Sequence, residues 1–305
     1  MHRLAPALLV LALAVAGCSG SPSADAPATG STSSAPSPAA GGTVQPGTEQ
    51  YVALGDSFTA GPLIPTTDVA AGCFRSDRNY PALLAADLGL DLTDVSCSGA
   101  DTADLVGRQR TVNDTTVPPQ LRALRRGTAL VTLGIGGNDL DLFSTLVNLC
   151  PRLRAQDPAG SPCADELARR GEDLRSTTAR IGQRVADAVE EVQQRAPDAR
   201  VVLVGYLRIA PTDGSCPRRL PFATGDLAFG DRVIRSLNAA LAGAARRTGV
   251  EFLDMYAASE GHDVCSDQPW VNGRRTDTGS ALAYHPFLSG MRAVADGLEA
   301  LLRDQ

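Results

Sequence analysis

Short apolar runs alternate with longer mixed stretches of the chain from residue 49 onward. Runs such as ALVTL and VVLV are almost continuously apolar, which is typical of parallel strands that are buried on both faces. The pattern predicts strands at 50–55, 91–99, 129–137, 199–206 and 250–255, and helices near 79–88, 118–125, 138–149, 165–196, 226–248 and 286–303. This alternation favours a three-layer α/β/α sandwich with a central parallel sheet, formed as one domain by residues 49–305.

The first 48 residues differ from the rest in composition. The opening, MHRLAPALLVLALAVAGC, places Arg3 before an apolar stretch that has the length of a signal peptide and is too short to favour a permanent membrane span. VAGC resembles a bacterial lipobox, in which the cysteine, here Cys18, is lipidated and becomes the first mature residue; a plain secretory signal is the alternative. Residues 19–48 are rich in Ser, Pro, Ala, Gly and Thr and contain too little apolar bulk for a core. We therefore expect a lipoprotein signal peptide at 1–18, a disordered tether at 19–48, and an exported protein anchored to the extracytoplasmic face of the cell membrane.

Charge and composition exclude several classes of function. The net charge is −6 and no basic stripe is visible, so nucleic acid is not an expected partner. All 28 basic residues are arginines, and the absence of lysine excludes a Walker-type phosphate loop, a Schiff-base lysine and a Ser-x-x-Lys nucleophile. With 43% apolar residues the chain has ample material for a core. We expect a monomer without a cofactor.

Seven cysteines are present, and removal of Cys18 leaves six. An even number in an exported chain predicts disulfides. Zinc is the competing interpretation, but no Cys-x-x-Cys spacing occurs and histidines are scarce, so we predict no metal. The sequence permits many connectivities. We expect sequential pairing because each such pair brackets a plausible loop: Cys73–Cys97, Cys150–Cys163 and Cys216–Cys265.

Candidate chemistry lies where three predicted strands end. In an open parallel sheet, reactive groups gather beyond the carboxyl ends of the strands. These ends carry Gly55-Asp56-Ser57, SGAD with Gly99, and GGND with Asn138. A glycine N–H, an asparagine amide and the Ser57 N–H could together surround a developing oxyanion, as acyl transfer requires. Taken singly, each has a plainer interpretation: a turn for the glycines and the serine, and a helix N-cap for Asn138.

A serine nucleophile needs a base, and the chain has only three histidines. His2 leaves with the predicted signal peptide. His262 lies beside a predicted disulfide, which favours a structural role. His285 precedes Pro286, which can begin the last helix, so its ring is expected in a loop where that helix starts. His285 is therefore the candidate base.

Four blocks, GDSFTAG, SGA, GIGGND and YHP, together resemble the SGNH (GDSL) hydrolase superfamily, in the family's order and across nearly all of 50–301. The chain is most similar to the secreted actinobacterial esterases and lipases of that group. The resemblance implies the flavodoxin-like SGNH hydrolase fold and hydrolysis of carboxylic (acyl) esters. It also implies Ser57 as nucleophile, the Gly99 N–H and the Asn138 side chain as oxyanion donors, and His285 as general base and acid.

One position departs from the family. The family usually places an aspartate three residues before the histidine to orient its ring, whereas this chain has Leu282 there. Either another carboxylate, Asp263 or Asp277, takes that role, or a backbone carbonyl accepts the imidazole N–H. We expect a Ser–His dyad in which the carbonyl of Leu282 orients His285.

Three other functions compete with ester hydrolysis: dinucleotide binding, glycan or lipid binding, and acyl transfer. A dinucleotide site at GIGGND fails because position 139 is aspartate and no Gly-x-Gly-x-x-Gly results. A non-catalytic surface lipoprotein that binds glycans or lipids has no need of a nucleophile and base together, whereas an acyltransferase that uses the same site stays open. Acyl chain length and the alcohol also stay open. Four residues are candidates either for an acyl pocket or for the core: Phe58, Leu140, Trp270 and Tyr284.

Overall fold

A computed structural model describes residues 49–303, with five parallel strands at its centre. The strands are β1 (Gln50–Gly55), β2 (Asp91–Asp94), β3 (Leu130–Gly134), β4 (Arg200–Val204) and β5 (Glu251–Leu253). They lie in the order β2-β1-β3-β4-β5, which is the flavodoxin-like order. All five predicted strands are present, but the one predicted over 91–99 ends at Asp94. The predicted signal peptide, Cys18 and the tether lie outside the described residues.

Helices flank this sheet. The helices are α1 (Ser57–Ala60), α2 (Tyr80–Leu88), α3 (Thr102–Val106), α4 (Leu142–Ser144), α5 (Cys150–Leu153), α6 (Pro162–Arg169), α7 (Leu174–Arg195), α8 (Thr224–Thr248), α9 (Met255–Ala258) and α10 (Leu288–Arg303). Helix α2 packs on α10, and α7 packs along α8. The α/β sandwich predicted from the alternation of strands and helices is confirmed. Two small antiparallel hairpins were not predicted: Thr67–Asp68 with Arg75–Ser76, and Gln109–Arg110 with Thr116–Val117.

The strand register positions the site. Strands β1 and β3 pair in parallel with Gly55 opposite Gly134, so both strands finish at the same level. Their side chains are buried, and Tyr51 and Leu54 are fully enclosed in the core. The strand order reverses between β1 and β3, because the chain places β2 on one side and β4 on the other. Ligands bind at such a switch point in open α/β sheets.

Two predicted helices are interrupted. The helix predicted over 165–196 is two helices, because Gly171 adopts a left-handed conformation (φ 71°) and Asp173 caps α7 through two backbone N–H groups. The helix predicted over 138–149 breaks because Leu140 and Asp141 are also left-handed, with φ of 54° and 57°. A π-helical turn at Thr145–Leu149 follows that break.

Two further boundaries differ from prediction. The last helix begins at Leu288 rather than at Pro286, because Pro286 pairs with Val271 in an antiparallel bridge. The predicted helix at 118–125 shortens to a 3₁₀ turn at Gln120–Ala123. Proline residues precede this turn and cannot donate backbone hydrogen bonds.

The three disulfides pair sequentially, as predicted: Cys73–Cys97, Cys150–Cys163 and Cys216–Cys265. The first joins the segment after β2 to a small hairpin, and the Ser98 N–H donates to the Cys73 carbonyl beside it (3.0 Å). This bridge braces the backbone next to Gly99. Within residues 49–303, no helix is both long and apolar enough to span a membrane.

Candidate active site

Ser57 is the first residue of α1, immediately beyond the carboxyl end of β1. The turn before it requires a glycine, since a Cβ on Gly55 would lie 2.2 Å from Thr59 Oγ1 and 2.6 Å from the Gly134 carbonyl oxygen. The Gln120 amide brackets Gly55, accepting from its N–H (2.8 Å) and donating to its carbonyl (2.9 Å). The serine is thus held on a rigid strand-to-helix turn.

A buried network behind Ser57 joins three strand ends. Asp56 is fully buried; its carboxylate accepts from the Phe58 N–H (2.8 Å) and from the Tyr206 hydroxyl (2.5 Å). The Tyr206 oxygen in turn accepts from the Gly137 N–H (2.7 Å). Burial raises the pKa of Asp56 to about 7, although both hydrogen bonds oppose the shift. Asn238 of α8 accepts from the Tyr206 N–H and so fixes the tyrosine (2.8 Å).

His285 contacts the serine directly. Its Nε2 lies 2.8 Å from Ser57 Oγ, and its Nδ1 lies 2.7 Å from the carbonyl oxygen of Ala283. Because a carbonyl only accepts, Nδ1 carries the proton and Nε2 is free to accept from the serine hydroxyl. Desolvation lowers the pKa of His285 to about 4, against the opposing effect of the Ala283 carbonyl. The ring is therefore neutral at neutral pH.

The orienting carbonyl is that of Ala283, not that of Leu282 as predicted. The Leu282 carbonyl already accepts the backbone N–H of His285 (3.2 Å) and an amide N–H of Asn272 (3.3 Å). Tyr284, between the carbonyl and the histidine, is left-handed with φ 61°, and this turn brings Ala283 and the ring together.

Neither alternative carboxylate is bonded to the histidine. Asp263 accepts from the Cys265 N–H (2.7 Å), and Asp277 accepts from the Ser280 hydroxyl (2.9 Å). In the part of the chain that the structure describes, no hydrogen bond joins either aspartate to His285.

Asn272 holds the segment that carries the histidine. Its backbone N–H donates to the His285 carbonyl (2.8 Å). Its side-chain amide donates to the carbonyls of Arg275 (2.9 Å), Ala281 (3.0 Å) and Leu282 (3.3 Å). With the Val271–Pro286 bridge, these bonds define a catalytic hairpin, residues 271–287.

The three predicted oxyanion donors belong to residues that line the site: Ser57, Gly99 and Asn138. Among the hydrogen bonds of residues 49–303, none uses the backbone N–H of Ser57 or of Gly99. Gly99 is left-handed (φ 82°), a conformation that glycine adopts without strain. Asn138 makes no capping bond; its amide donates one N–H to the Ala100 carbonyl (2.8 Å), which leaves a second N–H. All three residues line one cavity with His285.

Two cavities meet at Ser57 and His285. The larger, of about 630 Å³, has a mixed lining that includes Gln109 and Arg110. The smaller, of about 230 Å³, also has a mixed lining, in which polar residues such as Ser144 and Asn148 stand beside aromatic and aliphatic ones: Phe58, Phe143, Val147, Ile209 and Tyr284. Phe58 and Tyr284, two of the four candidates for an acyl pocket or the core, therefore line a cavity at the site.

The other two predicted pocket residues lie elsewhere. Leu140 and Trp270 are not among the residues lining either cavity. Trp270 stacks on His262 with 4.1 Å between ring centroids, and His262 Nδ1 lies 2.7 Å from the Gln268 carbonyl oxygen. His262 therefore has the structural surroundings that its sequence position indicated.

One group of three carboxylates in the described residues comes close enough to share a cation: Asp87, Asp296 and Glu299. It lies on α2 and α10, and Asp87 is already paired with Arg292. The Ser57–His285 site offers no comparable group within residues 49–303.

Sequence reasoning missed three supporting residues. Tyr206 follows β4 at the carboxyl edge of the sheet, so the strand-end rule that found Ser57 and Asn138 could have found it. Gln120 and Asn272 lie in irregular segments, where no periodicity or motif marks an amide that binds main-chain groups.

Comparisons with a family model and with known proteins agree on one family. The family model described as GDSL-like Lipase/Acylhydrolase family matches residues 53–293. Lipase 2 of Streptomyces coelicolor is 37% identical over 259 residues, which cover 82% of this chain and 84% of the relative. An esterase of Streptomyces scabiei is 32% identical over 248 residues, covering 70% and 72%.

Solved structures agree with this family. The extracellular lipase from Streptomyces rimosus has a TM-score of 0.69 and 28% identity, with 83% of this chain and 99% of that chain covered. Phospholipase A1 from Streptomyces albidoflavus has a TM-score of 0.65, 28% identity and the same coverage. The chain is a carboxylic ester hydrolase and belongs to the GDSL-like lipase/acylhydrolase family.

Proposed function

We propose that the protein hydrolyses acyl esters through an acyl-enzyme on Ser57, with His285 as general base and acid and no third carboxylate. The observation that carries this proposal is the 2.8 Å contact between Ser57 Oγ and His285 Nε2, with Nδ1 held by the Ala283 carbonyl. The orienting group has only to fix the tautomer and favour the imidazolium, and a carbonyl dipole does part of that.

Each chemical step uses a group already in place. His285 Nε2 takes the hydroxyl proton as Ser57 Oγ attacks the ester carbon. The developing oxyanion accepts from the Ser57 N–H, the Gly99 N–H and the second N–H of Asn138. The imidazolium then gives its proton to the departing alcohol oxygen, which leaves the acyl group on Ser57. The same ring then takes a proton from water, whose oxygen attacks the acyl carbon. The ring returns that proton to Ser57 Oγ as the carboxylic acid is released.

The two cavities divide the substrate between them. The aromatic wall of the 230 Å³ cavity, formed by Phe58, Phe143 and Tyr284, suits an apolar acyl chain. The 630 Å³ cavity is larger and carries polar side chains such as Gln109 and Arg110, which suit the alcohol. The substrate class is thus a carboxylic ester with an apolar acyl chain.

Substitutions at the dyad and at the oxyanion donor test this mechanism. Ser57→Ala and His285→Ala are expected to remove nearly all turnover of a soluble acyl ester, because each removes half of the proton-transfer pair. Asn138→Ala is expected to lower kcat by about 10²–10³, as for a lost oxyanion donor. A fluorophosphonate should label the wild type but not Ser57→Ala.

Asp263→Asn and Asp277→Asn decide between a dyad and a triad. Both aspartates are bonded within their own loops, so each variant should keep kcat within a few-fold of wild type. A fall of about 10⁴ in either variant would identify that aspartate as the third member of a triad and contradict the dyad.

We also propose that the enzyme is exported and anchored to the membrane by a lipid on Cys18. Three disulfides support export, because such bonds persist in oxidising compartments. The lipobox-like VAGC and the residues 19–48 that follow support the anchor and its tether.

A further inference from the structure

A third cavity, of about 250 Å³, lies beside the catalytic hairpin and shares no lining residue with the two cavities at Ser57. Four arginines line it: Arg218, Arg219, Arg274 and Arg275. Among the described residues of its lining, none carries a carboxylate. In a chain of net charge −6, this is a local concentration of positive charge that attracts anions.

The guanidinium groups are available for a ligand. Arg219 is held in place by the carbonyls of Cys265 and Ser266, at 3.0 Å each. Elsewhere, arginines such as Arg184 and Arg200 are paired with acids. Across residues 49–303, the other three arginines of this cavity form neither an ion pair nor a side-chain hydrogen bond: Arg218, Arg274 and Arg275.

Apart from Asn272 and Gly273, the rest of the lining is apolar. Pro269 and Phe287 are partly exposed, and Val264 and Val271 are fully buried. A small inorganic anion would use the arginines but leave this surface uncovered. At about 30 Å³ for each water-sized unit, the cavity has room for a head group and a short chain.

We propose that this cavity binds an amphiphilic anion, with a carboxylate or phosphate head group among the arginines and a short apolar chain against Phe287. The planar guanidinium fork pairs with either head group through two parallel hydrogen bonds. The carboxylate could come from a free fatty acid, which ester hydrolysis releases, and the phosphate from a lipid head group. The cavity shares no lining residue with the two cavities at Ser57, so anion binding is measured independently of the proposed mechanism.

Trp270 provides a local probe, because it is the only tryptophan of the chain and lies between two lining residues, Pro269 and Val271. The full chain is titrated separately with octanoate, octyl phosphate and neutral octyl glucoside while Trp270 emission is followed. A saturable change with an anion and none with the glucoside is expected, and the tighter of the two anions identifies the source. An equal response to the glucoside, or no saturable change with either anion, would overturn the proposal.

Matched charge variants locate the binding. Arg274→Gln with Arg275→Gln should raise the Kd at least about tenfold, because two charge-assisted contacts are lost. The control is Arg180→Gln with Arg232→Gln, which removes two exposed arginines of α7 and α8 that form no ion pair within residues 49–303, and it should leave the Kd unchanged. Both double variants should keep the circular dichroism spectrum and the melting temperature of the wild type, which verifies folding. Undiminished binding by the first double variant would place the ligand in another cavity and reject this site.

Discussion

At the scale of single residues, the site depends on an uncharged partner for its base. The Ala283 carbonyl fixes the ring of His285 but carries no net charge that would stabilise the imidazolium. Burial therefore dominates, and it lowers the pKa of His285 to about 4, below the ordinary value of 6.5. A carboxylate within hydrogen-bond reach would instead raise the pKa of the histidine, because its negative charge favours the imidazolium. The dyad thus has a base that stays deprotonated in mildly acidic solution.

The pH profile should report this shift. We expect kcat/KM for a soluble ester to rise through an apparent pKa of about 4 and then stay level, since only the neutral ring accepts the serine proton. The measurement is kcat/KM from about pH 3 to about pH 8, with circular dichroism at each pH as a control for unfolding. The control matters because the unfolded chain binds a proton between about pH 6.5 and about pH 4 that the folded chain does not, so stability falls as the pH falls. An acid limb near 6.5, the usual histidine value, would contradict the neutral-partner interpretation.

At the scale of elements, strand ends determine most of the site, and they are what the sequence could predict. Apolar runs mark the buried strands, and the residues just beyond two of them, Ser57 and Asn138, meet because β1 and β3 finish in register. The choice of the Ala283 carbonyl was not predictable in this way. It depends on the left-handed Tyr284, and nothing in the sequence signals that conformation for a non-glycine residue.

Left-handed residues also explain why the helix predicted over 138–149 is interrupted. The apolar spacing over 138–149 is helical, but Leu140 and Asp141 are left-handed and break the helix, and apolar spacing does not signal that conformation. The π-helical turn at Thr145–Leu149, which follows this break, supplies Val147 to the lining of the smaller cavity. Irregular helical turns of this kind are frequent at functional sites.

The catalytic hairpin gives a prediction at this scale. Asn272→Ala removes the amide that joins the carbonyls of Arg275, Ala281 and Leu282, so the segment that carries His285 should loosen. We expect kcat to fall by roughly 10- to 100-fold with KM nearly unchanged, because a misplacement of about 1 Å costs that much and the cavities keep their lining. Steady-state kinetics on a soluble ester measure both constants.

A second asparagine provides the control for that experiment. Asn113 donates to the Val69 carbonyl at 2.6 Å in a different part of the fold, and it lines neither cavity at Ser57. Asn113→Ala should therefore leave kcat close to wild type. If Asn272→Ala raised KM alone, or left both constants unchanged, Asn272 would not position the histidine.

At the scale of the whole molecule, the folded domain begins at one edge of the sheet and the active site lies at the opposite edge. Strand β1 begins at Gln50, next to the proposed tether, and ends at Gly55, next to Ser57. Six residues of strand separate the two edges by about 20 Å, at roughly 3.3 Å per residue. The proposed anchor at Cys18 thus connects to the domain at the edge of the sheet that is remote from Ser57.

The anchor itself gives the last prediction. Cys18→Ala removes the sulfur that would be lipidated, so the exported protein should move from the membrane fraction to the aqueous phase. Its kcat on a soluble ester should equal that of the wild type, because Ser57 and His285 lie in the folded domain and not in the tether. Detergent phase partition followed by an activity assay measures both properties, with Ser19→Ala as a neighbouring control that should stay in the membrane. Retention of Cys18→Ala in the membrane would show that another segment attaches the protein. Loss of activity on release would show that the lipid contributes to the chemistry as well as to location.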